Sequence, residues 1–260
     1  MSSYAIQGAV SGTDLKVNER MRTAVIGPPG VGKSWLAATA DKPWIFDFDG
    51  RLNSLAGKSI SGKTYFDTDF MAPSAWVNFE NDLAAFERLS LATDEHDFPK
   101  TFVCDSMQMM CQAAMNQILV LGASDKKICR KISAGQKIYY VAGGYDAWEA
   151  EFQAVKGAIS RLFSLGNVIC NFHEAAEEAP GSTQENPIYT GKLTVFPVRM
   201  RKLLPLFNDK WRIEVNNGVR QVFTDLQDYK FNSASTLLVD SIEQPDIQQM
   251  FKKHLTRLPK

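Results

Sequence analysis

The octapeptide GPPGVGKS, Gly27 to Ser34, constrains this 260-residue chain more than any other feature. It fits G-x-x-x-x-G-K-[ST], a loop whose glycines let the backbone curl until successive N–H groups converge on phosphate oxygens. In that geometry Gly27, Pro28, Pro29, Gly30, Val31 and Gly32 form a phosphate cradle, with Trp35 just beyond it. Lys33 reaches the outer phosphates, and the Ser34 hydroxyl binds Mg²⁺. A chance match in a chain of this length is roughly one in a hundred. The β-prone RTAVI before the loop and the helix-compatible KSWLAATA after it supply the strand and helix that the motif requires. ATP with Mg²⁺ is the expected ligand pair. The alternative is a Gly-Pro turn that merely caps a helix.

The pattern around the loop is that of an α/β protein. WIFDFDG (44 to 50) and TFVCD (101 to 105) read as strands, with KTYFDT (63 to 68) as a short one, and NVICNF (167 to 172) is a further buried strand. Between them, Trp76, Phe79, Leu83, Phe86 and Leu89 recur at helical spacing. Met107 to Leu121 and Tyr145 to Leu165 also read as helices. Strands alternating with helices predict a mostly parallel central sheet flanked by helices. DKWRIEV and VRQVFTD flank Asn216-Asn217-Gly218, a turn signal that predicts a C-terminal antiparallel hairpin. Val198 to Phe207 reads as a helix interrupted near Pro205, and the tail from Pro245 to Leu258 as a surface helix.

Three strand ends carry side chains suited to nucleotide chemistry. Asp105 closes an apolar strand and is the expected second metal ligand beside Ser34. Its competing reading is an N-cap for the following helix, a role Ser106 can also fill. Asp47 and Asp49, one residue apart, point to the same side if their strand continues; Asp49 is then placed to orient the attacking water, while Asp47 helps with metal or structure. His173 ends NVICNF and is expected to sense the γ-phosphate, titrating near neutral pH. Lys33, Asp49 and His173 are thus the catalytic candidates. His96 and His254 carry no functional expectation.

Composition narrows the partners. Lys plus Arg number 29 and Asp plus Glu 29, so a general attraction to polyanions is excluded and any nucleic-acid binding rests on local patches. Cys104, Cys111, Cys129 and Cys170 form no zinc spacing, and Cys104 and Cys170, inside apolar strand-like runs, read as buried thiols, which fits a reducing compartment. With no signal-peptide pattern and no apolar run near the roughly 20 residues of a membrane helix, the expectation is a cytoplasmic protein without a membrane partner.

The order of these features resembles the RecA-type recombinase core, and within it the compact phage P-loop ATPases associated with single-strand annealing and recombination. The resemblance covers about residues 20 to 225, with residues 1–20 as an N-terminal segment, 21–225 as the core and 226–260 as a C-terminal extension bearing a short helix. It implies that Asp49 stands where the family usually has a water-activating glutamate, and that His173 stands where recombinases carry a glutamine linking γ-phosphate to DNA. The shorter aspartate implies slow hydrolysis. It also implies two strand-binding loops, at about 122–144 and 174–193. The first carries Lys126, Lys127, Arg130, Lys131 and Lys137 with Tyr139 and Tyr140, a mixture suited to phosphate neutralisation and base stacking. The second, with Glu174, Glu177, Glu178 and Glu185 and only Lys192 near its end, suits DNA poorly and could instead contact a partner or gate the site. Arg199, Arg201, Lys202, Lys210 and Arg212 offer a second basic surface or a cationic finger toward a neighbour's nucleotide. The leading expectation is a slow, DNA-coupled ATPase that acts on single-stranded DNA as a homo-oligomer, with a single-strand-binding or replication protein as partner. The alternative is a nucleotide-controlled assembly or helicase-loading factor.

Overall fold

Alternation along the buried strands dictates a sheet covered on both faces. The computed structural model describes residues 20–92, 98–134, 137–178, 189–195, 198–224, 239–240 and 242–257. The first half runs β1 (Arg22–Gly27), α1 (Lys33–Ala37), β2 (Pro43–Asp47), β3 (Ser61–Thr64), α2 (Ala75–Ser90), β4 (Thr101–Asp105) and α3 (Met107–Leu121). Next come β5 (Cys129–Ala134), β6 (Lys137–Ala142), α4 (Tyr145–Leu165), β7 (Asn167–Glu178) and β8 (Tyr189–Val195). β9 (Asp209–Asn216), β10 (Val219–Phe223), β11 (Ile242–Glu243) and α5 (Ile247–Arg257) complete the order.

Among the described residues, the main sheet has the order β11-β10-β9-β1-β7-β4-β2-β3, with β8 paired to β7. Pairings from β9 through β1, β7, β4 and β2 to β3 are parallel, and β9–β10 is antiparallel. Side chains alternate across it as a period of two requires. Ala24, Ile26, Phe46, Phe102, Cys104, Val168, Cys170 and Phe172 face α2, α3 and α4. Val25, Ile45, Val103 and Ile169 face the opposite core, which contains Leu36 of α1 and Ile247 and Met250 of α5. Both layers are continuous and apolar, so the strands read as apolar runs. The architecture is the expected one, a mostly parallel sheet flanked by helices and ending in an antiparallel hairpin. Asn217 (φ 50°) and Gly218 (φ 77°) take the positive φ that its two-residue turn requires.

Several elements differ from expectation. The third strand begins at Ser61, two residues before KTYFDT, and Leu89 of α2 is exposed rather than in the core. Val198–Leu206 is a 3₁₀ segment that contains Pro205, not an interrupted α-helix. The C-terminal helix is only half a surface element, because Ile247 and Met250 are buried and His254 on the same helix is fully enclosed. Both segments expected as loops are hairpins. β5 and β6 pair antiparallel as a separate two-stranded sheet, and β7 continues past His173 to pair with β8. The stretch 179–188 between β7 and β8, which includes Glu185, and His96 lie outside the described residues. No helix among the described residues is long and apolar enough to cross a membrane.

Candidate nucleotide site

The sheet order brings the phosphate loop and three strand ends to one crevice. β7 lies between β1 and β4, with Gly27 level with His173 across one pairing and Asp105 level with Asp47 across the next but one. The carboxyl edge of a parallel sheet is where ligands bind in open α/β folds.

The loop itself is shaped for close approach. Gly30 and Gly32 have φ of 79° and 106°, conformations that L side chains rarely adopt. A Cβ on Gly32 would also lie 2.8 Å from Arg220 Nε, and that guanidinium donates to the Val31 carbonyl at 3.1 Å. Val31 is buried, whereas Pro28, Pro29 and Gly30 are exposed. Trp35 is half exposed, with the Lys58 ammonium 3.3 Å from its ring centroid.

Lys33 is only 5% exposed, and all three of its protons have acceptors. It donates to the Gly27 carbonyl at 2.8 Å and the Pro28 carbonyl at 2.9 Å, and lies 3.2 Å from His173 Nδ1. Burial pushes its pKa down to about 8, opposed by the charges of Asp105, Glu174 and Asp49. As ammonium is donor-only, His173 Nδ1 must be the acceptor, which fixes a neutral ring with its proton on Nε2. Burial and the Lys33 charge both lower the His173 pKa. The histidine therefore titrates below the ordinary imidazole value in this arrangement. Its Nε2 is 4.0 Å from Asp49 Oδ2.

The two aspartates after α1 have separate roles. β2 ends at Asp47, so the pair does not share a strand face. Asp47 is buried and accepts from the backbone N–H of Arg51 and Leu52 and from the Thr64 hydroxyl, which ties down the turn after β2. That use of both oxygens leaves it a structural residue, not a metal ligand. Asp49 instead turns into the crevice, where its Oδ1 accepts from the Ser106 hydroxyl at 2.6 Å. Ser106 thus occupies the N-cap position of α3 but spends its side chain on Asp49.

Asp105 is held from two sides. The Ser34 hydroxyl bonds to its carboxylate, and Asn171 Nδ2 donates to Oδ1 at 2.9 Å. Burial raises the Asp105 pKa, and both hydrogen bonds work against that shift. A hydroxyl and a carboxylate side by side at the loop are hard oxygen donors of the kind Mg²⁺ takes, with phosphates and water completing its shell. The absence of any three-residue His/Cys/Asp/Glu cluster among the described residues agrees with such a sparse set. Ser34 and Asp105 fit the ion.

Asn171, Arg220 and the bond from Ser106 to Asp49 escaped the sequence. Asn171 had a signal, an amide inside a buried apolar strand, since such a group needs a partner. Arg220 had none short of topology. Two of the five candidate finger residues are occupied: Lys210 donates to the Phe207 carbonyl, and Arg212 pairs with both Glu174 and Glu214. Glu174, 9% exposed, is therefore charge-compensated, and its negative charge does not project freely.

The basic residues expected to contact DNA lie at and just before the β5–β6 hairpin. Lys126, Lys127, Arg130 and Lys131 are exposed along the approach to the β5–β6 hairpin and on its first strand. Tyr139 is half exposed, whereas Tyr140 packs against the small core of Met115, Leu119, Cys129 and Ala147 and lies 5.6 Å from the Lys131 ammonium. Lys137 opens β6. A Cβ on Gly143 would meet the Lys126 carbonyl at 2.2 Å, so only glycine lets the hairpin close on its own base.

The AAA domain family model matches residues 19–229, most of the chain, and the chain belongs to that family of P-loop ATPases. A search of curated proteins finds no match. Among solved structures, the chain is similar to the RadB recombinase at 14% identity and a TM-score of 0.36, covering 86% of this chain and 90% of that one. It is also similar to the assembled ATPase EscN of the enteropathogenic E. coli type III secretion system, at 13% identity and a TM-score of 0.42, covering 75% and 43%. The fold itself is a mostly parallel α/β sheet flanked by helices, with an antiparallel hairpin at one edge.

Proposed function

We propose that this protein binds ATP with Mg²⁺, hydrolyses it slowly, and couples nucleotide occupancy to single-stranded DNA held on the β5–β6 hairpin. The observation that carries the reading is the continuous chain of contacts from Lys33 through His173 toward Asp49, with Ser106 joining Asp49 to the end of β4. The loop N–H groups and Lys33 bind the phosphates, so the Lys33 protons now given to two carbonyls and His173 become available to phosphate oxygens. Asp49 accepts the proton of the attacking water as its oxygen bonds to the γ-phosphorus and the bond to the ADP oxygen breaks. Bound Mg²⁺ would neutralise the developing charge, held by Ser34 and Asp105. His173, freed from Lys33, donates from a ring nitrogen to the γ-phosphate and reports its presence along β7.

The DNA half of the reading is supported by the exposed cations and the half-exposed Tyr139 of the hairpin. A compact phage-type annealing or recombination ATPase, acting as a homo-oligomer beside a single-strand-binding or replication protein, fits these parts. The test is fluorescence anisotropy with labelled single- and double-stranded DNA, with and without ATP, on the native chain and Lys33→Ala. Lys33→Ala should lose nucleotide binding and the ATP-dependent part of strand binding. Strand affinity indifferent to ATP would refute the coupling, and no strand binding at any salt would leave the loading-factor alternative.

A further inference from the structure

A second site lies outside the nucleotide crevice, between the first two turns of α4 and the 3₁₀ segment Val198–Leu206. Tyr145, Trp148, Glu149 and Phe152 stand at spacings of three and four and therefore share one helix face. Two of the aromatics remain open to solvent, Tyr145 at 66% and Trp148 at 37%. From the other side, the Arg199 guanidinium lies 4.1 Å from the Trp148 ring centroid, and the Lys202 ammonium lies 5.6 Å from Tyr145 and 5.9 Å from Phe152.

Glu151 lines the bottom of the cleft with Cys111 and Met200. It is only 3% exposed, and its Oε1 has no hydrogen-bond partner among the described residues. Arg199 Nε lies 3.6 Å from the other oxygen, close enough to compensate charge but too long for a hydrogen bond. The Cys111 thiol is a further, weak donor to this carboxylate. A buried carboxylate oxygen without a donor is costly, and nothing in the nucleotide crevice uses this one. Of the other acids here, Glu149 accepts from the Tyr145 hydroxyl and from Gln153, and Asp146 lies in the first turn of α4.

We propose that this cleft binds a nucleotide whose base carries an exocyclic amino group. The base lies against the open Tyr145 ring or continues the Trp148–Arg199 stack, since nucleobases stack on aromatic rings and on guanidinium planes alike. Its amino group donates to Glu151 Oε1, as cytosine N4 does to carboxylates. Lys202 and Arg199, at the rim, meet the phosphate. One pocket with a buried acceptor discriminates adenine and cytosine from thymine, which has no amino donor to offer. The same chemistry is carried by a residue of a single strand and by a free nucleotide, so the strand form rests on the DNA reading above and the free form does not.

The test measures binding of labelled dC, dA and dT 12-mers, and of CMP, AMP and dTMP, to the native chain in the absence of ATP and Mg²⁺. Tyr145→Ala changes an exposed side chain, and Glu151→Leu removes the acceptor; thermal melts check that both variants fold. The expected result is about tenfold tighter binding of dC and dA than of dT, the value of one bond to a charged acceptor. That preference should vanish in Glu151→Leu, and binding should weaken several-fold in Tyr145→Ala. Preference among oligomers alone assigns the site to a strand, and the same preference among monophosphates assigns it to a free nucleotide. Equal affinity for all three bases, or a preference that survives both variants, overturns the proposal. Strand binding lost on removing the hairpin cations but unchanged in Tyr145→Ala refutes the cleft while leaving the hairpin standing.

Discussion

Asn171→Leu isolates one hydrogen bond at the metal end of the crevice. Asn171 is fully buried in β7 and donates Nδ2 to Asp105 Oδ1 at 2.9 Å. Leucine repeats the branching of asparagine with methyl groups in place of the amide oxygen and nitrogen, so the position stays filled, but the carboxylate loses one of its two side-chain donors. Burial already favours the protonated form of Asp105. Without Asn171 the Asp105 pKa moves further up, so protons compete better with Mg²⁺ for a carboxylate that is also freer to rotate. A hydrogen bond to a charged group contributes about 1.5–3 kcal/mol, which matches the 10–100-fold loss of metal affinity typical when a ligand's supporting partner is removed. The assay is a Mg²⁺ titration at fixed fluorescent ATP analogue, read as the half-saturating Mg²⁺ concentration. It should rise about 10–100-fold, while binding of the metal-free nucleotide in EDTA changes less than about threefold. Asn171→Ser, which keeps a hydroxyl donor in the same strand, should recover part of the loss. A half-saturation point within twofold of the native value in a folded Asn171→Leu protein would show that Asp105 needs no such support and would refute the reasoning.

Asp49→Asn should lower the hydrolysis rate about 10²–10⁴-fold, the usual contribution of a general base, with ATP affinity nearly unchanged; equal losses in both would place Asp49 in binding instead. The Lys33 pKa of about 8 sets a pH limit on nucleotide affinity. Below it the ammonium is charged and affinity is flat; above it the free protein must take up a proton to bind, so affinity should fall about tenfold per pH unit, and a flat profile from pH 7 to 9.5 would contradict the role of Lys33. Replacing Lys126, Lys127, Arg130 and Lys131 with alanine should reduce the slope of log affinity against log salt for single strands by about 3, four contacts at about 0.7 each; an unchanged slope moves the strand elsewhere.

The sheet and the gathering of strand-end acids beside the phosphate loop were legible because apolar runs and strand-end acids leave local signals. TFVCD, for example, is recovered as β4 residue for residue. What escaped was set by pairing between distant segments. Nothing in VRQVF says that Arg220 will reach back across the sheet to the Val31 carbonyl. The hairpin β5–β6 hid behind lysines, which seldom mark a strand, and β7–β8 behind a run of glutamates. For Asp47 the sequence left metal and structure open; the strand ends at this residue, and its carboxylate turns to the backbone of Arg51 and Leu52, which selects structure. Asn171 is the instructive case, since its one-letter presence in an apolar strand was visible and its partner was not.

Mechanically, β7 is a beam supported at one end. In its clamped part, β4 pairs with it from Asn167 to Cys170 and β1 from Val168 to His173, and beyond His173 its paired neighbour among the described residues is β8. The register shift at Ala176/Glu178 gives the overhang a point of bending, as bulges do. Five residues separate His173 from Glu178, about 16 Å of strand at 3.3 Å each. A rotation of about 10° at the clamp would therefore sweep the far end through about 3 Å. Arg212, gripping Glu174 just past the clamp, acts as a brake on that motion. A displacement at His173 would therefore be carried outward along β7, with β8 moving as its partner.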